Sequence, residues 1–514
     1  MSAIAQQEIR PTPEQQAIID APEDRDIAVS ALAGAAKTTT LELRAKAHPN
    51  QKILYVALNK AVQQEAAQRF PSNVTCKTTH ALAFRTHGVP FKDKLGNLRP
   101  FQVKNALRLS MRNDEAMVFA ALCAETVKRF CASPDEQITE SHVPAAKART
   151  SGFNRQEVRN HAADLWGMMQ DTSRSDVPMT HDGYLKLYQL SQPDLSSQFD
   201  AIYLDEAQDT NPAMYAIFSG QTNMQRVAVG DRNQSIYRFR GSMDVMSEMV
   251  DAEPYSLTGS FRFGAPVAYT ANVLLGLYLG ESLVLEGLGG PTRLVPSDDS
   301  DIPLDHRAYL CRTNAGLFDQ AVELLDQGYE RLCWLGGIES YGMETLMDVH
   351  RLSVGQHSEI KDRLIRSFRD LEELKSYADE AEDIEISVRV KVVEKYGRKL
   401  PRKVEQLRRT ALDRAIHGEP LLTTAHRSKG SEFAHVILGE DFPAFMGNQS
   451  EPLQEQYPLI ESWMPRDAKE DPVEADEVFL AYVAATRAQQ TLGVNKELAA
   501  LLRWWKQVGS RQAA

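Results

Sequence analysis

The stretch DIAVSALAGAAKTTT, Asp26 to Thr40, decides how the rest of the chain is read. Small apolar residues run as far as Gly34, and Lys37-Thr38 then opens a helix-forming stretch. Strand, loop and helix in that order bring backbone N–H groups to a helix N-terminus, where they cradle phosphate. The same chemistry needs a lysine that reaches the β and γ phosphates and a hydroxyl that holds magnesium. Lys37 and Thr38 supply both. The strict pattern G-x-x-x-x-G-K-[ST] is not met, because Ala31 and Ala36 occupy its two glycine positions. Alanine at position 36 is tolerable where φ is negative, whereas a positive φ strains it by about 1 kcal/mol. On its own residues the stretch reads either as a phosphate loop or as an Ala-rich strand-to-helix turn.

Working outward, similar apolar runs recur at "KILYVALN" (52–59), "FDAIYLDEA" (199–207), "QRVAVGD" (225–231), "RAYLCRT" (307–313) and "FAHVILGEDF" (433–442). Each is followed by helical patterning. Continuous apolar runs alternating with helices predict βα units around buried parallel sheets, an α/β fold. Several runs end in polar residues, among them Asp205-Glu206, Asp231 and Arg312-Thr313. Ligands of open α/β sheets bind at those carboxyl ends. Two regions break the rhythm, about 89–191 and about 341–415, and both read as helical insertions. Residues 450–477, acidic and Pro-containing, read as a long surface loop.

Bulk properties bound the function. The 514 residues are 43% hydrophobic and 25% charged, so sizeable cores and several domains are expected. No apolar run is long enough to span a bilayer, and the first residues lack the apolar core of a signal peptide. The five cysteines are scattered without a CxxC pair, which argues against a zinc ribbon or a disulfide scaffold and fits a reducing cytoplasm. The net charge of −12 argues against a generally basic nucleic-acid surface. A local basic groove on an acidic body stays compatible with it.

Further motifs accompany the loop. "YLDEAQD" (203–209) is an apolar strand ending in adjacent carboxylates, with Asp205 placed to ligate magnesium and Glu206 to activate water. "VAVGDRNQSIYRFRG" (227–241) carries Gln234 and then alternates aromatic and basic residues. "LTGSFRFG" (257–264) places Phe261-Arg262 after a strand-like segment. "LLTTAHRSKGSEFAHVIL" (421–438) and "LAYVAATRAQQ" (480–490), with Arg487, follow far downstream.

Taken in order, these motifs resemble the UvrD/Rep-type superfamily 1A DNA helicases, especially the F-box DNA helicase branch. "TPEQQ" (12–16) is similar to the Q motif, "ALAGAAKTTT" to motif I, "YVALNKAVQQEAAQRF" (55–70) to Ia and "CKTTHALAF" (76–84) to Ib. "LDEAQDTNP" (204–212) looks like motif II, "VGDRNQSIYRFRG" like III and "LTGSFRFG" like IV. "CRTNAGLF" (311–318) looks like IVa, "TTAHRSKGSEF" (423–433) like V and "YVAATRA" (482–488) like VI.

The resemblance implies two RecA-like domains, each interrupted by a helical insertion. Domain 1A would comprise 1–88 and 192–262, with insertion 1B at 89–191. Domain 2A would comprise 263–340 and 416–500, with a short insertion 2B at 341–415 and a tail at 501–514. No F-box is expected before residue 12, and no nuclease domain after Arg487. The implied cofactors are ATP and Mg2+, and the implied partners are single-stranded DNA and single-strand/duplex junctions.

Roles follow the same resemblance. Gln15 would read the adenine edge and Phe261 would stack on its face. The loop from Gly34 through Ala35, Ala36, Lys37 and Thr38 to Thr39 would bind the nucleotide, with Thr38 and Asp205 on the metal. Glu206 would be the base, Gln234 would couple the γ-phosphate to the DNA site, and Arg262 and Arg487 would be paired arginine fingers. Glu432 would contact the sugar. Thr39 departs from the pattern, since many relatives carry arginine there. For the DNA track, Tyr237 and Phe239 are candidates for base stacking. Asn59, Lys60, Thr79, His80, Arg240 and His426 are candidates for phosphate and sugar contacts. Phe239 also fits a core position, Lys60 a solvated helix charge, and His80 and His426 loop orientation. The expected activity is ATP-driven movement along DNA, 3′→5′ by family analogy. Two other readings stay open: a translocase that unwinds poorly, and a DNA-binding subunit whose motif I is impaired.

Overall fold

The computed structural model describes residues 10–236, 241–304, 306–380, 383–412, 418–443, 445 and 474–512. Contacts divide the chain into two compact units, Met1–Val89 with Leu185–Phe261 and Pro90–Tyr184 with Arg262–Ala514.

The first unit is built on β1 (Ile27–Ala31), β2 (Ile53–Ala57), β3 (Val74–Thr78), β4 (Ala201–Leu204), β5 (Gln225–Gly230) and β6 (Glu253–Leu257). They form one sheet in the order β3-β2-β4-β5-β1-β6, with every neighbouring pair parallel. Successive side chains alternate between two cores. Ile27, Val29, Tyr55, Tyr203 and Val227 fill one, while Leu54, Val56, Ile202, Leu204 and Ala228 fill the other. Burial on both faces is why these strands read as unbroken apolar runs. β3 and β6 are the exceptions. They lie at the two sheet edges with one buried residue each, Cys76 and Leu257, so their sequences carry no such run.

Three helices prepare the site. In α1 (Pro13–Ile19), Thr12 and Gln15 form a reciprocal capping box. α2 (Lys37–Ala47) follows β1 directly, and α3 (Lys60–Arg69) follows β2. Arg44 of α2 is fully buried, and its guanidinium donates to the carbonyls of Ile18 (2.8 Å) and Ala21 (2.7 Å). An arginine is tolerated in a core only when so bonded. Here it adds a donor to carbonyls at and just past the end of α1, and it ties the Thr12–Gln15 corner to the helix that carries Lys37.

The second unit contains a seven-stranded parallel sheet. Its order is Ala411–Leu412, Leu332–Trp334, Leu421–Thr424, Arg307–Cys311, Phe433–Leu438, Ala488–Val494 and Arg293–Pro296. Two helical segments accompany it. The first includes helices Pro100–Ala106, Asn113–Ala132 and Arg155–Gln170. The second includes Met343–Ser353, Leu371–Glu380, Ile384–Tyr396 and Leu400–Thr410. The two touch: the Asn113 side chain donates to the Ser367 carbonyl (3.0 Å), and the Arg363 guanidinium lies 5.5 Å from the centre of the Phe101 ring. Of the expected loop at 450–477, residues 450–473 fall outside the described residues. Its end, Ala475 to Glu477, instead opens the helix Ala475–Ala485. All five cysteines are free and buried, and no described helix is long and apolar enough to cross a membrane.

Candidate active site

The carboxyl end of β1 leads into the loop at 32–36. Gly34 has φ 75°, a conformation that favours glycine. Ala36, at the N-cap of α2, has φ 56° and ψ 41°, so the strained alternative for this alanine is the one the fold adopts. The turn places Lys37, Thr38, Thr39 and Thr40 on the first turn of the helix.

Thr38 Oγ1 donates to Asp205 Oδ2 at 2.6 Å, and Tyr55 Oη donates to the same oxygen at 2.6 Å. Lys37 Nζ lies 3.3 Å from Glu206 Oε1. Burial pushes the Asp205 carboxyl above its ordinary value, aided by the neighbouring Glu206 charge and opposed by the bonds from Thr38 and Tyr55. Burial alone would lower the Lys37 ammonium, but Glu206, Asp231 and Asp205 together hold it above its ordinary value. A hydroxyl and a carboxylate converging in this way suit magnesium, which keeps several waters and takes only one or two protein ligands beside substrate phosphates. A larger cluster of His, Cys, Asp and Glu is not needed, and none occurs among the described residues.

Around the loop, Gln15 is 2% exposed. Its Oε1 accepts from Thr12 N (3.0 Å), and its Nε2 donates to Thr40 Oγ1 (3.2 Å). The carboxamide keeps a second N–H and a second lone pair beyond these bonds. Phe261 is half-exposed, and its backbone N–H donates to the Gly34 carbonyl (3.0 Å). Thr39 Oγ1 accepts from Arg69 Nη2 at 2.9 Å, so a guanidinium from α3 meets the position where the family pattern has arginine.

In the second unit, Arg262, Glu432 and Arg487 come together. Arg262 donates from Nε to Glu432 Oε2 (2.9 Å) and from Nη1 to the Thr486 carbonyl (3.0 Å). The other Glu432 oxygen accepts from Gln489 (2.8 Å). Arg487 is buried, with Nε on the Val483 carbonyl (2.9 Å) and Nη1 on that of Ser431 (3.3 Å). Ser431 and Arg487, 56 positions apart in the chain, therefore share one corner.

Residues 11–250 match the UvrD/REP helicase N-terminal domain family. Over nearly the whole chain the sequence is 32% identical to F-box DNA helicase 1 of Gallus gallus, covering 96% of this chain and 50% of that protein. The chain is similar to UvrD/Rep-like helicases along nearly its whole length, and its first half matches the N-terminal domain of that family. It is also 29% identical to F-box DNA helicase protein 1 of Schizosaccharomyces pombe, over 92% of this chain and 56% of the relative. The chain thus spans about half the length of the curated relatives it matches.

The residues expected at a DNA track are placed unevenly. Asn59 and Lys60 are exposed where β2 meets α3, but Asn59 Oδ1 already caps α3 by accepting from Val62 N (3.0 Å). Thr79 and His80 are half-buried at the start of a short helix after β3. His426 is half-buried on the Ala425–Ser428 helix of the second unit. Tyr237, Phe239 and Arg240 lie outside the described residues. Gln234, in a short 3-10 turn, donates Nε2 to Asp231 Oδ2 (2.7 Å).

Sequence reading missed three residues of this site. Tyr55 sits in mid-strand and reads as core until its hydroxyl is found on Asp205. Asp231 reads only as a strand end, yet its carboxylate accepts from Asn233 N and from Gln234. Gln208 bridges Glu206 and Asp231. The signal available for Gln208 was its place inside "DEAQD", two residues beyond an acid.

Proposed function

We propose that the chain is a DNA-dependent ATPase that moves along single-stranded DNA and separates strands at single-strand/duplex junctions. In the cell it would serve repair, recombination or replication. The observation that carries this reading is the pairing of Thr38 with Asp205 and of Lys37 with Glu206 at the carboxyl end of a parallel sheet. DNA as the track is taken from the names of the relatives, and 3′→5′ polarity from family analogy.

Magnesium held by Thr38 and Asp205 would neutralise charge on the phosphates. The Lys37 ammonium, exchanging its Glu206 partner for the terminal phosphates, binds the nucleotide. Glu206, so released, accepts a proton from the water that attacks the γ-phosphorus as the bond to the β-phosphate oxygen breaks. Gln15 is assigned to the adenine edge and Phe261 to its face, with the backbone of Gly34, Ala35 and Ala36 around the phosphates and Thr39 beside them. Arg262 and Arg487 are assigned to the charge that develops on the transferred phosphoryl group, Glu432 to the sugar, and Gln234 to coupling. Asn59, Lys60, Thr79, His80, Tyr237, Phe239, Arg240 and His426 are assigned to the DNA.

Ala36 at φ 56° favours a second reading, a DNA-binding subunit that holds nucleotide without turning it over. Strand separation on 3′-tailed, 5′-tailed and blunt duplexes tests the first. ATP-dependent opening of the 3′-tailed duplex alone supports the motor and its polarity. Opening of none, with hydrolysis intact, leaves translocation without unwinding. Nucleotide binding without hydrolysis supports the second reading.

A further inference from the structure

Gln208 has no role in the function just described, yet its carboxamide is bonded at both ends, one of them on Glu206. It is fully buried. Its Nε2 donates to Glu206 Oε2 at 2.5 Å, and its Oε1 accepts from Asp231 N at 3.0 Å. Its backbone carbonyl accepts from Ser235 Oγ at 3.1 Å. Asp231 in turn holds Gln234 Nε2 at 2.7 Å and Asn233 N at 3.0 Å. The carboxamide is a rigid plane fixed at both ends, so a displacement of the Asp231–Gln234 turn is passed to the Glu206 carboxylate. Glu206 itself has φ 53° and ψ 44°, a left-handed conformation that is strained for a non-glycine residue and held by its surroundings. Gly230 protects the arrangement: a Cβ there would lie 2.6 Å from Gln208 Oε1.

We propose that Gln208 is a positioning residue that couples the Asp231–Gln234 turn to the Glu206 carboxylate, so that DNA binding sets where Glu206 meets the attacking water. This rests on the ATPase reading above. A general base must sit within hydrogen-bond reach of its proton, and a misplacement of about 1 Å costs about 100-fold in rate.

The test is steady-state ATP hydrolysis, with and without saturating single-stranded DNA, for the intact chain, Gln208→Met, Gly230→Ala and the double variant. Methionine keeps the length of the side chain and loses the amide. Alanine at 230 displaces the amide without removing it. In each single variant kcat with DNA should fall by about 30- to 100-fold, while KM for ATP and the affinity for ADP hold within about threefold. The double variant should be no slower than the slower single, because both break one linkage. DNA-stimulated kcat in Gln208→Met within about threefold of the intact chain overturns the proposal, as do single effects that multiply in the double. Should Gln208→Met not fold, Gly230→Ala is judged by the same threshold. An intact chain without DNA-stimulated turnover removes the ATPase reading and this inference with it, an outcome distinct from a normal intact chain with an indifferent Gln208.

Discussion

The Thr38 hydroxyl and the Asp205 carboxylate, 167 positions apart in the chain, meet at 2.6 Å. The parallel sheet makes the meeting. β1 delivers Thr38 and β4 delivers Asp205 to the same end of the sheet, and both groups suit one divalent cation. Thr38→Ala should weaken ATP binding by more than about tenfold with magnesium present, and leave binding in excess chelator nearly unchanged. Equilibrium titration with a fluorescent ATP analogue under both conditions checks this. Equal losses in both would mean that Thr38 acts only in packing the loop.

Ala36 provides a second expectation, one about stability. Its left-handed backbone costs about 1 kcal/mol, and glycine would remove that strain. Glycine also frees the unfolded chain, at a cost of about 0.4–1 kcal/mol. The two nearly cancel, so Ala36→Gly should change unfolding free energy by less than about 1 kcal/mol. Ala36→Val places a β-branched side chain at positive φ and should cost about 1–3 kcal/mol. Denaturant unfolding of both variants decides the point.

The second helical segment carries its own pH signature. The Arg351 guanidinium, with Lys361 and Arg408 and against some burial, holds the Glu344 carboxyl down to about 2. A depressed carboxylate stabilises the fold above its ordinary titration range, and that contribution is lost as pH falls toward the lowered value. Glu344→Gln should therefore be less stable than the intact chain at neutral pH, and the difference should shrink as pH drops from about 4 toward about 2. Unfolding midpoints of both proteins across that range give the comparison. A difference independent of pH would show that the ion pairs add nothing.

Much of this architecture was legible, and the reasons are specific. Ile27–Ala31, Ile53–Ala57, Ala201–Leu204 and Gln225–Gly230 are buried on both faces, and that burial writes unbroken apolar runs into the sequence. Val74–Thr78 and Arg293–Pro296 lie at sheet edges where few side chains are buried, so no run marks them. Lys37, Thr38, Asp205 and Glu206 stand out in the sequence because phosphate and magnesium chemistry would call for those residue types directly after strands. Tyr55 and Gln208 do not, because their roles come from where a hydroxyl and an amide point once the sheet has formed. The φ of Ala36 was open for the same reason: the sequence names the residue, and only the folded turn sets its backbone.

The central claim is that Lys37, Thr38, Asp205 and Glu206 form a working ATPase despite Ala36. Steady-state ATP hydrolysis by the purified chain, with and without single-stranded DNA, beside Lys37→Ala and Glu206→Gln, tests it most directly. The account predicts turnover that DNA stimulates strongly, that falls by more than about 100-fold in both variants, and that leaves ATP binding intact in Glu206→Gln. An intact chain that binds ATP and does not hydrolyse it, with or without DNA, would contradict the account and show that the loop at Ala36 holds nucleotide without consuming it.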